Sequence, residues 1–503
     1  MTGDLCGQSV GVVGAGVGGL AAAAYLARDG ADVTVYEKLS QVGGVAGRIE
    51  DSGFQFDTGP SWYLMPDIFE RFFRAFGHEP EDFYDLTRLD PNYRVFWTDG
   101  DRADVPADPT AAAELFESYE GGAGEALLAY LSEAERAYDI GLNRFVVPGR
   151  SRFRDYLSLD VLRSAHGLRL LGTMDDHVTD YFEHPKLRQL VEYTLVFLGG
   201  SPYNTPALYT LMSHVDYGLG VYYPDGGMAA VVDAFEAVAT EQGAEIRTET
   251  PVSRLDPGER EVTLSHSDGT ATHDRVVCNA PPAHAERELF PEDVVDRPRS
   301  QWEDATLAPS AFMLYLGVEG NVDPLEHHTL VLPTDWDDHF ERIFEVPDWP
   351  ETPAYYVNVP SKTDPTVAPE GCETVVVLVP VAPGLPDDED TVAEFRAQIL
   401  DDIAATAGVD LRDRIRVEHR ATVSDFERLF NKQQGTALGV AHTLRQTGPL
   451  RTGHRVPGAD RCYYVGGDVN PGIGVPMCLL SGEHVTDAVR EDVADRGVLD
   501  ALR

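Results

Sequence analysis

The chain has 503 residues, 43 % of them hydrophobic, with a net charge of −44. That length calls for two or three subdomains, and a negative field of that size repels nucleic-acid phosphates. No stretch is apolar for long enough to span a bilayer, and MTGDLCGQSV at the N-terminus lacks the charged and apolar regions of a secretory signal.

Ser9 to Val13 is a short β-prone run. Gly14-Ala15-Gly16-Val17-Gly18-Gly19 follows and fits the pattern G-x-G-x-x-G. Leu20 to Arg28 is alanine-rich and favours helix; Val33 to Tyr36 is a second β-prone run, ending at Glu37 and Lys38. The order predicts a βαβ unit with a right-handed crossover. Each glycine has a physical task there: Gly14 permits the tight turn, Gly16 lets the backbone approach a pyrophosphate, and Gly19 lets helix and strand pack closely. The helix N-terminus directs free N–H groups at the anion. Glu37, near the expected spacing, accepts hydrogen bonds from ribose hydroxyls and repels a 2′-phosphate. Gly43, Gly44 and Gly47 form a second glycine loop close behind, which points to FAD rather than NAD. Arg48 beside it is a candidate charge for the pyrophosphate, or else one half of a surface ion pair.

Residues 105 to 190 are expected to be mostly helical, with AAAELFESY and EALLAYLSEAERAYDIGL as the clearest stretches. From Arg144 to Leu171 six arginines (144, 150, 152, 154, 163 and 169) face only Asp155 and Asp160, with Leu, Val, Phe and Tyr between them. Such a stretch suits an anionic lipid interface, or equally a helix covering the protein's own core. YYPDGGMAAVVDAFEAVATEQGAEI predicts a glycine turn, an amphipathic helix and a stop at Gly243, with short strands at Val262 to Leu264 and Val276 to Val277. Phe312 to Leu316 and Thr374 to Val379 are expected in a second sheet, and PGLPDDEDT is a solvated turn. Near the C-terminus the aromatic strand Tyr463-Tyr464-Val465 runs into Gly466, Gly467 and Asp468, then NPGIGVP, then a helix. Asp468 is placed to bond ribityl hydroxyls, and Gly472 and Gly474, with Val475 next to them, to let a flat ring lie against backbone.

The five cysteines (6, 278, 372, 462 and 478) form no C-x-x-C pair, so neither a disulfide framework nor a metal site is expected, and a reducing cytoplasm fits. Only four of the basic residues are lysines (38, 186, 362 and 432). Acid excess with few lysines points to a protein working in high salt, where screening mutes self-repulsion.

Three blocks resemble the bacterial-type carotenoid (phytoene) desaturases, within the FAD-dependent amine-oxidase-like flavoproteins. They are GVVGAGVGGLAAAAYLARDGADVTVYEK with GGVAGRIEDSGFQFDTGP; LVFLGGSPYNTPALYTLMSHVDYGLGVYYPDGGMAAVVDAF with ETPVSRL and VVCNAPPAH; and FNKQQGTALGVAHTLRQTGPLR with CYYVGGDVNPGIGVPMCLLSG. The resemblance implies an α/β fold, with a Rossmann-like FAD-binding domain and a discontinuous second domain of sheet and helices for the substrate. The expected division is 1–70, 218–290 and 455–503 for FAD, 71–104 and 291–454 for substrate, and 105–217 as a helical, membrane-facing subdomain. It also implies noncovalent FAD as sole redox cofactor, a C40 polyene as substrate and a peripheral place on the membrane. Cofactor contacts carry over to Gly14, Ala15, Gly16, Gly18, Gly19, Glu37, Lys38, Gly43, Gly44, the Val252 backbone near the adenine, Gly467, Asp468, Gly474 and Val475. Where the family has an arginine after the Gly-Gly pair this chain has Val45, leaving Arg48 as the substitute. Trp62 and Tyr63, between Pro60 and Pro66, are expected to begin the wall where hydrocarbon meets flavin. Phytoene desaturation is the default activity; 3,4-desaturation or polyene isomerisation is the alternative, with amine oxidation or a non-catalytic flavin-binding escort as more distant readings. No catalytic base is singled out: His214, Glu192 and Asp216 lie in the second block as the titratable candidates, and such residues are more often structural.

Overall fold

The computed structural model describes residues 5–149, 172–298, 300–443 and 445–501. Two sheets organise them. The first has five strands, every pairing parallel, in the order Cys462–Tyr464, Arg275–Cys278, Ser9–Val13 (β1), Asp32–Tyr36 (β2), Glu245–Arg247. Its strands come from both ends of the chain and from the middle. β1, Ser-Val-Gly-Val-Val, is central and buried from Val10 to Val13, which is why it carries no polar alternation after Ser9.

Helix α1 (Val17–Arg28) follows β1 at once and is buried from Val17 to Ala27. It packs between the Gly227–Glu241 helix and the C-terminal helix Val475–Ala501. A Cβ added to Gly482 would stand 2.6 Å from that of Ala21, so the alanine run is the price of two neighbours at close range. The Gly227–Glu241 helix ends where the sequence predicts, with Gly243 at φ 102°.

The second sheet has seven strands, in the order Ile415–Ala421, Ser310–Glu319, Cys372–Val381, Tyr355–Asn358, His328–Leu332, Tyr93–Trp97, Arg102–Val105. Its pairings are antiparallel except the one between His328–Leu332 and Tyr93–Trp97. One face packs on the Glu389–Thr406 helix through Phe312, Leu314, Val357, Val377 and Val379 against Phe395 and Ile399. On the other face register aligns Leu330 with Tyr356, Tyr356 with Leu378, and Leu378 with Met313. That apolar row crosses four strands and forms the floor of a cavity.

Helices Pro109–Tyr119 and Ala123–Ile140 occupy the two stretches expected to be helical. The basic segment proposed to meet the membrane lies for the most part outside the described residues, which stop at 149 and resume at 172. Among the described residues no helix is long and apolar enough to cross a membrane.

Candidate functional site

A cavity of about 860 Å³ is lined by both sheets and by the loops at the C-terminal ends of the parallel strands. That is where an open parallel sheet presents its ligand site. Its walls change character from one end to the other.

The first end is made of backbone. Gly14, at φ 96°, donates its N–H to the Tyr36 carbonyl at 2.8 Å and turns the chain from β1 into α1. Gly16 is the N-cap of α1, and among the described residues no side chain caps that end. The first-turn N–H groups are thus left for a ligand, with the positive end of the helix dipole behind them. Gly43 donates to the Ala15 carbonyl at 2.8 Å, and Gly16 and Gly43 form an isolated parallel bridge, so the two glycine loops lie side by side. Glu37 is buried; its Oε2 accepts from the Ala15 N–H at 2.7 Å and its Oε1 from the Leu39 N–H at 2.8 Å. Each oxygen keeps a lone pair for a ribose hydroxyl. Lys38 donates to the Arg428 carbonyl and to Asn431 Oδ1. An uncapped helix end, two glycine loops and a fixed carboxylate fit the pyrophosphate and adenosine ribose of FAD.

At the other end of the cofactor path, Asp468 accepts from the Val440 N–H at 2.9 Å and from Lys432 Nζ at 3.2 Å. Gly467, Gly474 and Val475 line the wall with it. Arg451 lies behind this loop, 4 % exposed, and donates to the carbonyls of Gly467, Val440, Val469 and Gln446. His442 accepts the Ile473 N–H on Nε2, so its proton sits on Nδ1, facing the Tyr209 hydroxyl at 2.6 Å. Burial holds that imidazole well below its ordinary pKa and keeps it neutral.

Beyond these loops the walls become apolar. Trp62 stacks flat on His328, with centroids 3.9 Å apart, and lines the cavity with Leu332, Trp336 and Phe340 above the sheet floor.

Four expected site residues do not reach the cavity wall. Ala15 and Gly19 lie behind it: Ala15 anchors Glu37, and a Cβ on Gly19 would press into the Gly14 carbonyl, which makes Gly19 a packing glycine. Arg48 lies off the wall and binds Asp233 at 2.6 Å and Glu50 at 3.3 Å, the surface ion pair that is the other reading of it. Tyr63 turns into the core, stacked on Phe69 with its hydroxyl on Tyr84. Alternation along the extended Trp62-Tyr63 pair sends only the first to the cavity. Gly14, Gly16, Gly18, Glu37, Lys38, Gly43, Gly44, Val45, Val252, Gly467, Asp468, Gly474, Val475 and Trp62 all line it.

Sequence reasoning missed three residues here. Asn279, just past the Arg275–Cys278 strand, donates to the Val465 carbonyl at 3.0 Å. Its Oδ1 would stand 2.6 Å from a Cβ on Gly16, so it locks the central strand ends together. The lone polar residue in VVCNAPP was the available signal. Arg451 and His442 carried none, because their partners lie on other segments that only the fold brings to them. Among the candidate bases, His214 and Glu192 stay off the cavity; burial lowers the pKa of the first and pushes the second up to about 8.

The model of the flavin containing amine oxidoreductases matches residues 17–490. The chain belongs to that family. It is a flavin-dependent oxidoreductase with FAD as cofactor. A carotenoid 3,4-desaturase of Haloarcula japonica is 56 % identical to it, over 98 % of this chain and 100 % of the relative. A zeta-carotene-forming phytoene desaturase of Myxococcus xanthus is 35 % identical, over 99 % and 97 %. The fold is also that of a Methanosarcina mazei oxidoreductase, with a TM-score of 0.63 at 18 % identity over 95 % of this chain and 100 % of the other. A Brevibacterium oxydans cyclohexylamine oxidase gives 0.61 at 16 % identity over 97 % and 99 %.

Proposed function

We propose that this flavoprotein is a carotenoid desaturase that introduces a C=C bond at the 3,4 position of a long acyclic polyene. The observation that carries the reading is a single cavity that joins a dinucleotide cradle to the apolar row Leu330, Tyr356, Leu378 and Met313. A polar amine would find little to bind on that floor, whereas a hydrocarbon gains about 25 cal/mol for each Å² it buries. The motifs alone leave phytoene desaturation as the default. The relative at 56 % identity favours 3,4-desaturation, and the phytoene-acting relative stands further off at 35 %.

FAD, when held there, would supply the hydride acceptor for the reaction. The chain's own part is placement and exclusion of water. Gly14, Gly16, Gly43 and Gly44 hold the pyrophosphate end, and Glu37 the adenosine ribose. Asp468 and the backbone at Gly467 and Gly474 hold the ribityl and ring end. Trp62 and the sheet floor fix the polyene in a near-attack position, where orientation supplies much of the rate.

A C40 substrate lives in the bilayer, so the reading includes peripheral attachment from the cytoplasmic side. The basic stretch from Arg144 to Leu171 is the proposed contact. Changing Arg150, Arg152 and Arg154 to Glu is expected to weaken flotation with anionic liposomes; unchanged flotation removes this part.

The deciding assay uses FAD-loaded protein and liposomes carrying either phytoene or an acyclic carotenoid saturated at carbons 3 and 4. New absorption bands at longer wavelength are expected with the second lipid only. Conversion of phytoene alone returns the default activity, and conversion of neither sinks the desaturase reading.

A further inference from the structure

Behind the aromatic wall lies a buried acid that the cofactor site does not use. Asp216 is 2 % exposed and sits in a π-helical turn, His214–Leu219, a local form frequent at functional sites. Its Oδ2 is 3.0 Å from the Tyr93 hydroxyl and 3.0 Å from the Tyr193 hydroxyl. Tyr93 is 3.2 Å from the Tyr217 hydroxyl, which is 3.1 Å from the Leu190 carbonyl. Among the described residues Asp216 Oδ1 has no hydrogen-bond partner. Tyr193 also lines the cavity, with its ring 6.2 Å from that of Trp62; Asp216 lies off the wall, behind it.

Four oxygen–oxygen contacts link Leu190, Tyr217, Tyr93, Asp216 and Tyr193 in series, and three phenols supply three hydrogens. With Asp216 ionised, one contact lacks a hydrogen. With Asp216 protonated, every contact has one: Tyr217 to Leu190, Tyr93 to Tyr217, Asp216 to Tyr93, and Tyr193 to Asp216. The ionised carboxylate is in turn held by donation from Tyr93 and Tyr193. The cluster therefore has a defined place for one extra proton and a bonding pattern for each state.

We propose that Tyr193 and Asp216 take up the proton that the substrate loses, Tyr193 as the catalytic residue at the cavity and Asp216 as the proton store behind it. This rests on the desaturase reading. A hydride and a proton leave adjacent carbons. The hydride would leave with its electron pair to FAD as the acceptor, and the electrons of the other C–H bond become the new π bond. The proton goes to the Tyr193 phenolic oxygen as that group passes its own hydrogen to Asp216 Oδ2, so Tyr193 ends neutral and Asp216 ends as the acid. Among the described residues the titratable groups bonded to Asp216 are Tyr93 and Tyr193, with Tyr217 one step beyond, all raised by burial. Burial also pushes Asp216 up to about 7, against those two hydrogen bonds, so both of its states are available near neutral pH.

The test compares full-length, FAD-loaded wild type with Asp216→Asn and Tyr193→Phe, measuring kcat and KM against pH on carotenoid liposomes, FAD content and infrared spectra. Each variant is expected to lower kcat by about a hundredfold, with KM and FAD content unchanged. The wild-type rise in kcat towards neutral pH is expected to vanish in Asp216→Asn. The infrared difference between wild type and Asp216→Asn is expected to show one carboxyl titrating near neutrality. Variants that keep wild-type kcat and pH profile overturn the proposal. So does a loss of rate that follows loss of bound FAD while the pH profile of the residual activity persists. If the wild type converts no polyene, the functional reading fails by the assay above, and the infrared titration alone decides whether Asp216 is the proton site.

Discussion

Arg451 is a buried cation whose hydrogen bonds go to backbone oxygens, and the geometry explains why it is arginine. Its planar fork reaches carbonyls on three stretches of chain, at Val440, Gln446 and the Gly467–Val469 loop. Burial pulls its pKa down, and the nearby Asp468 charge pulls it back up. A lysine at this position loses the fork and leaves carbonyls unpaired in the interior. Arg451→Lys is expected to cost about 2 kcal/mol, from two hydrogen bonds at roughly 1 kcal/mol each, and to lower the FAD recovered per chain. Urea unfolding at fixed salt and the flavin-to-protein absorbance ratio measure the two effects. Gly19 tests a different point. Gly19→Ala drives a methyl into the Gly14 carbonyl, which is rigid backbone, so about 3 kcal/mol of overpacking is expected. The helix must then tilt away from β1, and FAD binding is expected to fall although Gly19 is not on the cavity wall. Full FAD content in a well-folded Gly19→Ala protein contradicts this packing role.

At the scale of elements, the two sequence blocks GFQFDTGP and YYPDGGM form one joint. Asp57, ending the Phe54–Asp57 strand, accepts from the Met228 and Ala229 N–H groups at the start of the Gly227–Glu241 helix, while Gln55 donates to the Gly226 carbonyl. Burial nonetheless wins over those bonds and the Arg48 charge, and pushes the Asp57 carboxyl up to about 6. Because the folded value lies above the unfolded one near 4, folding is favoured by proton uptake below about pH 4, and that contribution is lost as pH rises through 6. Asp57→Asn has no such titration. Between pH 5 and pH 8 at constant salt, the melting temperature of wild type is expected to fall relative to that of Asp57→Asn; a constant difference rules out the shift. The same joint shows what the sequence made legible. β1, α1, β2 and Glu37 follow from local rules of turn, helix and spacing, and the structure has them within a few residues. The cavity floor was not legible, because Leu330, Tyr356, Leu378 and Met313 meet only through cross-strand register. Arg48 looked like a cofactor contact because sequence gives nearness to Gly44 but not direction, and its side chain leaves the loop for Asp233. Asp216 was visible in the sequence beside Tyr217, but the two tyrosines bonded to its carboxylate, Tyr93 and Tyr193, come from separate segments.

For the whole molecule the charge of −44 is the dominant physical fact. Arginine pairs such as Arg396 with Glu418 and Arg71 with Glu483 offset it locally, but 84 acids against 40 bases leave most carboxylates without a cation. Folding brings those charges together, and their repulsion opposes the compact state more than the extended chain. Salt changes this balance in one direction: the Debye length falls from about 10 Å at 0.1 M to about 3 Å at 1 M, so repulsion between exposed charges is largely screened. The melting temperature is therefore expected to rise by about 5 °C or more between 0.1 M and 2 M KCl, with most of the rise complete by 1 M, where that screening is already in force. Sucrose at equal osmolality strengthens apolar burial without screening, and is expected to give a much smaller rise. A melting temperature that is flat in KCl, or that follows sucrose and salt alike, contradicts the view that electrostatic repulsion limits this fold and that its acid-rich, lysine-poor composition suits concentrated salt.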